Sequence, residues 1–153
     1  MCSNAIATGD AILAALGGGA AGAIGHGIVH ITDEDMGGRA SDPFTLGLIA
    51  VGASTGGTQA IEAFLSRLPA DVPPIVITQH MPAGFTRAFA DRLDTVCPMR
   101  VREAQGGEVL ERGVAYVAPG GRHMVVDRAG VELRTRLTDG PQVHHQRPAV
   151  DVM

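Results

Sequence analysis

Two kinds of apolar spacing alternate along the chain after residue 45. Leu46 to Ala50 and Pro74 to Thr78 are short, nearly continuous apolar runs of the sort a strand buried on both faces requires. Between and after them the spacing becomes helical. Ile61, Phe64, Leu65 and Leu68 recur on one face of a stretch predicted as helix over 58–68, and Phe85, Ala88, Phe89 and Leu93 do the same after Pro82. Further strands are predicted near Met99 to Glu103 and Val114 to Ala118, with turns at Gly106-Gly107 and Pro119-Gly120-Gly121. A hairpin is predicted over Met124 to Thr135 with its turn at Asp127 to Gly130. Strands alternating with helices make this an α/β domain over 46–153. Residues 1–45 read differently. Their Gly/Ala-rich run Ala11 to Gly27, the acidic Asp33-Glu34-Asp35 and the Gly37-Gly38 break predict a linker or N-terminal extension.

The chemistry lies where two of the apolar runs end. Ser54 stands in Val51-Gly52-Ala53-Ser54-Thr55-Gly56-Gly57, at a strand-to-helix turn, and His80 follows the run Pro74 to Thr78. In an open parallel sheet the C-terminal ends of neighbouring strands converge on one crevice, so the two side chains would meet if their strands pair. A serine hydroxyl becomes a useful nucleophile when a base takes its proton, a task imidazole performs near neutral pH. Gly52, Gly56 and Gly57 permit a tight turn and close approach of a substrate. The N–H groups of Thr55 and Gly56 at the helix start, with Gly57, are the candidate oxyanion or substrate-binding groups. A second reading is open at the same place, because a Gly-rich turn before a helix also cradles phosphate. The dinucleotide spacing Gly-x-Gly-x-x-Gly is absent from 52–57, and all twelve basic residues are arginines, so the P-loop lysine has no counterpart.

Composition narrows the classes. A formal net charge of -4, 3% aromatic residues and no tryptophan give neither the basic footprint nor the stacking platform of a nucleic-acid binder. No Lys or Arg precedes Arg39, which argues against a signal peptide, and the glycine-rich run containing His26 and His30 is a poor membrane span. Two cysteines, Cys2 and Cys97, fit a reducing compartment, and a cytoplasmic location is expected. His26 and His30 have an i, i+4 ligand spacing, but the glycines around them disfavour a helix and no metal site is expected. His144-His145 are expected in solvent, and His123 is expected to be structural or substrate-lining. Arg87 and Arg92 are expected on a solvated helix face near the crevice.

Four segments in order carry a resemblance to a known family. Leu48 to Gly57, Ile77-Thr78-Gln79-His80-Met81-Pro82 followed by Gly84-Phe85-Thr86, Ala118 to Met124, and Arg147-Pro148-Ala149-Val150-Asp151-Val152 resemble the catalytic domain of chemotaxis protein-glutamate methylesterases. The resemblance implies a doubly wound, mostly parallel sheet with helices on both faces and a short antiparallel hairpin. It also implies hydrolysis of γ-glutamyl methyl esters on methyl-accepting chemoreceptors, with glutamine deamidation in some members, and no cofactor. Ser54 takes the place of the nucleophile and His80 that of the general base. The family's third member is an aspartate in a Gly-Met-Gly-x-Asp-Gly segment beyond the Pro-Ala-Val-Asp-Val motif, which this sequence does not reach. Asp71, Asp91, Asp94, Asp127, Asp139 and Asp151 lie outside that motif, and Asp151 is expected in the first turn of a helix begun by Pro148. The expectation is therefore a partial catalytic domain lacking its last sheet elements, with exposed apolar surface and little or no esterase activity. Residues 1–45 are expected to hold no receiver domain, being shorter than the roughly 100 residues of a typical domain. The alternatives are a non-catalytic, receptor-binding remnant and a phosphate-ligand binding α/β domain.

Overall fold

The computed structural model describes residues 5–7, 28–32, 47–54 and 56–153. A six-stranded sheet has the order β1-β2-β3-β4-β6-β5, built from β1 (Ala5–Ala7), β2 (Ile28–Thr32), β3 (Leu48–Ala53), β4 (Ile75–Gln79), β5 (Arg100–Glu103) and β6 (Val114–Val117). The pairs β3–β4, β4–β6 and β5–β6 are parallel, while β1–β2 and β2–β3 are antiparallel. Two helices, α1 (Gly57–Leu65) and α2 (Phe85–Val96), follow β3 and β4. A separate hairpin of β7 (His123–Ala129) and β8 (Glu132–Thr138) lies apart from the main sheet. The stretch expected as linker thus contributes two strands to the edge beside β3, and one of them, Ile28-Val29-His30-Ile31-Thr32, is rich in the β-branched residues that favour strands.

Alternation along β3 and β4 sorts the core into two layers. Ile49, Val51 and Ala53 on β3, with Ile75 and Ile77 on β4, share one cluster with Ile61, Phe64 and Leu65 of α1 and Phe89, Ala90 and Leu93 of α2. Leu48 and Val76 point the other way, into a cluster with Tyr116, Leu110 and Met124 at the base of the hairpin. Among the described residues both α-helices therefore cover one face and the hairpin covers the other, where helices on both faces were expected. All five residues of β4 are buried, as its unbroken apolar run requires. Burying Ile61, Phe64 and Leu65 contributes roughly 1.5–3 kcal/mol each, which fixes α1 against the sheet.

Three boundaries differ from the sequence reading. On α2 the buried stripe is Thr86, Phe89, Ala90 and Leu93, whereas Phe85 is 64% exposed and Ala88 is exposed. The stripe begins one position later because the Thr86 hydroxyl is engaged inward: it donates to Glu103 at 2.5 Å and accepts from the Gly120 N–H at 3.0 Å. The hairpin is longer than expected. Its strands run to Ala129 and from Glu132, so the turn falls at Gly130-Val131, where Gly130 takes a positive φ of 67°. After Pro148 the chain makes a single 3₁₀ turn, Val150–Val152, with Asp151 in it.

Candidate active site

Parallel register brings the two reactive side chains together. Gly52 pairs with Thr78 and Ala53 with Gln79, so the next residue on each strand, Ser54 and His80, leaves the sheet side by side. Ser54 is exposed and His80 half-buried, with Ser54 Oγ 3.2 Å from His80 Nδ1. That is hydrogen-bond reach for proton transfer, and the hydroxyl is the one partner of the ring among the described residues. With the serine donating, Nδ1 carries the lone pair and the ring proton resides on Nε2.

The turn after Ser54 is built by glycine. Gly56 precedes α1 in the left-handed region at φ 75° and ψ 1°, a conformation that glycine adopts without strain. Thr55, one of the expected oxyanion donors, lies outside the described residues. Gly57 behaves differently from the expectation: its N–H donates to the Ser54 carbonyl at 2.8 Å and closes the turn. A Cβ at Gly57 would stand 2.0 Å from Gln79 Oε1 and 2.6 Å from the Ala53 Cβ, so the position is sterically reserved for glycine.

The other two motifs pack around this end of the sheet. Gly120 lies against the Pro82–Ala83 backbone, where a Cβ would meet Ala83 N at 2.6 Å. Val150 lies against Gly52, where a Cβ would meet its Cγ1 at 2.5 Å, and Thr78 donates to Met153 Sδ at 3.2 Å. Four sequence segments far apart in the chain thus converge on the β3 and β4 strand ends. His123 is part of the scaffold. It is 2% exposed, its Nε2–H donates to the Pro141 carbonyl at 2.9 Å, and its Nδ1 accepts from the Ala149 N–H at 3.2 Å.

A family model described as CheB methylesterase matches residues 49–153. The chain belongs to the CheB methylesterase family. A protein-glutamate methylesterase/protein-glutamine glutaminase of Methylobacillus flagellatus is 55% identical over 106 residues, which cover 69% of this chain and 30% of that protein. One from the group 3 operon of Bradyrhizobium diazoefficiens is 52% identical over 111 residues, covering 72% and 31%. The Thermotoga maritima CheB methylesterase catalytic domain superposes with a TM-score of 0.64 at 37% identity, over 66% of this chain and 54% of that one. The chain spans about a third of the length of the curated relatives it matches. The mostly parallel α/β sheet and antiparallel hairpin expected from the CheB resemblance are both present.

Other polar groups resolve without chemistry of their own. A recess of about 310 Å³ beside α2 and β5 is lined by Arg87, Asp91, Arg102, Glu103, Gln105 and Glu108. Several of its charges are engaged locally: Arg87 pairs with Asp91 at 3.2 Å, Glu103 accepts from Thr86, and Glu108 accepts from the N–H groups of Gln105 and Gly106. Arg92, also exposed, makes a two-pronged pair with Glu62 of α1 at 2.9 and 3.0 Å. Burial, with Glu62 and Asp94 nearby, pushes the Cys97 thiol up to about 11, which leaves it protonated and unreactive at neutral pH. His144 and His145 are exposed at φ 50° and 61°. His26 lies outside the described residues, and His30 is on β2. Among the described residues no cluster of three His, Cys, Asp or Glu could hold a metal, and no helix is long and apolar enough to cross a membrane. Sequence reasoning passed over Gln79, although a polar residue closing an otherwise apolar buried strand was a usable signal.

Proposed function

We propose that this chain carries the nucleophile and general base of a serine-dependent protein-glutamate methylesterase that acts in the cytoplasm on γ-glutamyl methyl esters of methyl-accepting chemoreceptors. The observation that carries the reading is the 3.2 Å contact between Ser54 Oγ and His80 Nδ1 at the open end of a parallel sheet. Ser54 attacks the ester carbonyl as its proton passes to His80, forming a tetrahedral oxyanion. The N–H groups of Thr55 and Gly56, ahead of the α1 N-terminus, are the proposed donors to that oxyanion. Collapse expels methanol, which takes the proton from the imidazolium. Water then attacks the acyl-serine with His80 again as base and releases glutamate. A glutamine side chain would follow the same course with ammonia leaving. The histidine lone pair aimed at a hydroxyl favours this chemistry over a phosphate cradle, which needs no base.

The test is methanol release from methylated chemoreceptor by the intact chain and by Ser54→Ala. Release that disappears in Ser54→Ala supports the esterase. No release from the intact chain, with receptor binding retained, would make the domain a receptor-binding fragment. Saturable binding of inorganic phosphate at the Ser54 turn without release would point to the phosphate-ligand reading.

A further inference from the structure

We propose that Gln79 is a positioning residue whose side-chain amide holds Ser54 and His80 in register, and that Gly57 is glycine to make room for it. The inference rests on the esterase reading above and adds a residue to that site.

Regular β3–β4 pairing ends at Ala53 and Gln79, one residue short of the reactive pair. Beyond that point a single main-chain bond among the described residues, His80 N–H to Ala53 carbonyl at 3.3 Å, joins the two strands. Gln79 supplies what the ladder no longer does. Its Nε2 donates to the Ser54 carbonyl at 2.9 Å and lies 3.4 Å from the His80 carbonyl, so one amide group touches the main chain of nucleophile and base together. The residue is 4% exposed, so the amide itself is buried. Two carbonyl oxygens near one terminal atom identify that atom as the nitrogen, since the flipped amide would set oxygen against oxygen. The amide oxygen then faces Gly57. It is buried with no hydrogen-bond partner among the described residues, and a Cβ at Gly57 would reach within 2.0 Å of it. A buried polar atom left unpaired is disfavoured, so its retention at the site calls for a reason. The reason here is the other end of the same amide: Nε2 reaches the Ser54 carbonyl only when Oε1 occupies the space beside Gly57. The additional glycine after Gly52-Ala53-Ser54-Thr55-Gly56 thereby acquires a function.

Two readouts on the full chain test this: the rate at which a fluorophosphonate labels Ser54, and long-range ¹⁵N–¹H spectra of the His80 ring, which report its tautomer without requiring turnover. Gln79→Met keeps the side-chain volume and removes the donor. It is expected to slow labelling by up to about 10²-fold, the scale of an ångström-sized misplacement of reacting groups. The His80 ring is expected to move from one tautomer, protonated at Nε2, to a mixture. Labelling at the unsubstituted rate with an unchanged ring spectrum would overturn the proposal. If the unsubstituted chain itself does not label, the nucleophile reading fails, and the ring spectrum alone decides on Gln79: a changed tautomer in Gln79→Met sustains it and an unchanged one refutes it. Should Gln79→Met not fold, Gly57→Ala approaches the amide from the opposite side. The double variant Gly57→Ala/Gln79→Ala is then expected to lose less labelling than the two single losses combined, because the contact with Oε1 is gone and only that with the Ala53 Cβ remains, and strictly additive losses would refute the coupling.

Discussion

His80 and His123 are the same residue in two regions of one domain, and their surroundings assign them opposite tasks. His80 stands at the end of β4, half-buried, with its ring bonded to a hydroxyl that can itself react. His123 opens β7 with both ring nitrogens taken by main-chain groups of Pro141 and Ala149. There the imidazole acts as a two-ended peg joining the hairpin to the loop that returns over the sheet. That loop is fastened further by Arg147, which donates to the Asp139 and Gly140 carbonyls at 3.1 and 2.9 Å, and by the Gly121 N–H bonded to the Arg147 carbonyl. The lesson is that partner chemistry and access to solvent separate a base from a strut. Residue type does not.

Removing each histidine should break the comparison in opposite directions. His80→Ala is expected to lower hydrolysis and Ser54 labelling by about 10⁴-fold or more, as loss of a general base does in serine hydrolases, while the melting temperature scarcely moves. A labelling rate within tenfold of the unsubstituted chain would remove His80 from its role. His123→Ala should do the reverse. It leaves a cavity and two unpaired main-chain groups, a loss of roughly 2–4 kcal/mol in a denaturant titration, with Ser54 still reactive at temperatures where the chain is folded.

Smaller effects sharpen the contrast between the hairpin side and the strand-end site. Burial alone would raise the Glu108 carboxyl, but hydrogen bonds from Thr135 and from the Gln105 and Gly106 amides outweigh it and hold the group below its ordinary value. Because the folded value lies below the unfolded one, this contribution is complete above the unfolded pKa of about 4.3 and is lost as pH falls through the folded value. Glu108→Gln is expected to cost about 0.5–1 kcal/mol at neutral pH, allowing for partial solvent screening. Melts of both forms should converge in acid, and a gap that persists there would deny the carboxylate its part. The least effect concerns the domain's other nucleophile. Cys97, with its thiol pushed up to about 11 by burial, should alkylate with iodoacetamide about 10²-fold more slowly near pH 8 than an ordinary cysteine, and should do so without slowing Ser54 labelling.

Much of this fold is legible in the linear pattern because its elements are strongly marked. The unbroken run ending at Thr78 is a strand buried on both faces, and Ile61, Phe64 and Leu65 recur at helical spacing, as the core clusters confirm. The offset of the α2 stripe was illegible, since Phe85 and Ala88 fit the same period as Thr86 and Phe89 and only the inward bonds of Thr86 choose between them. Strand β2 was legible but overlooked: Ile28-Val29-His30-Ile31-Thr32 is a β-branched run inside a segment read as linker for its glycines and alanines. Only the fold shows that β2 pairs with β3 and β1 with β2.

The chemistry divides along the same line. A serine at a glycine-built turn and a histidine after an apolar strand already mark the CheB methylesterase pattern in the linear chain, because residue type and spacing are local. Only the fold sets Ser54 Oγ 3.2 Å from His80 Nδ1 and brings the Gln79 amide to the Ser54 carbonyl. Those are distances between segments more than twenty positions apart. They depend on strand register and on which face of β4 each side chain takes, and packing between elements sets both.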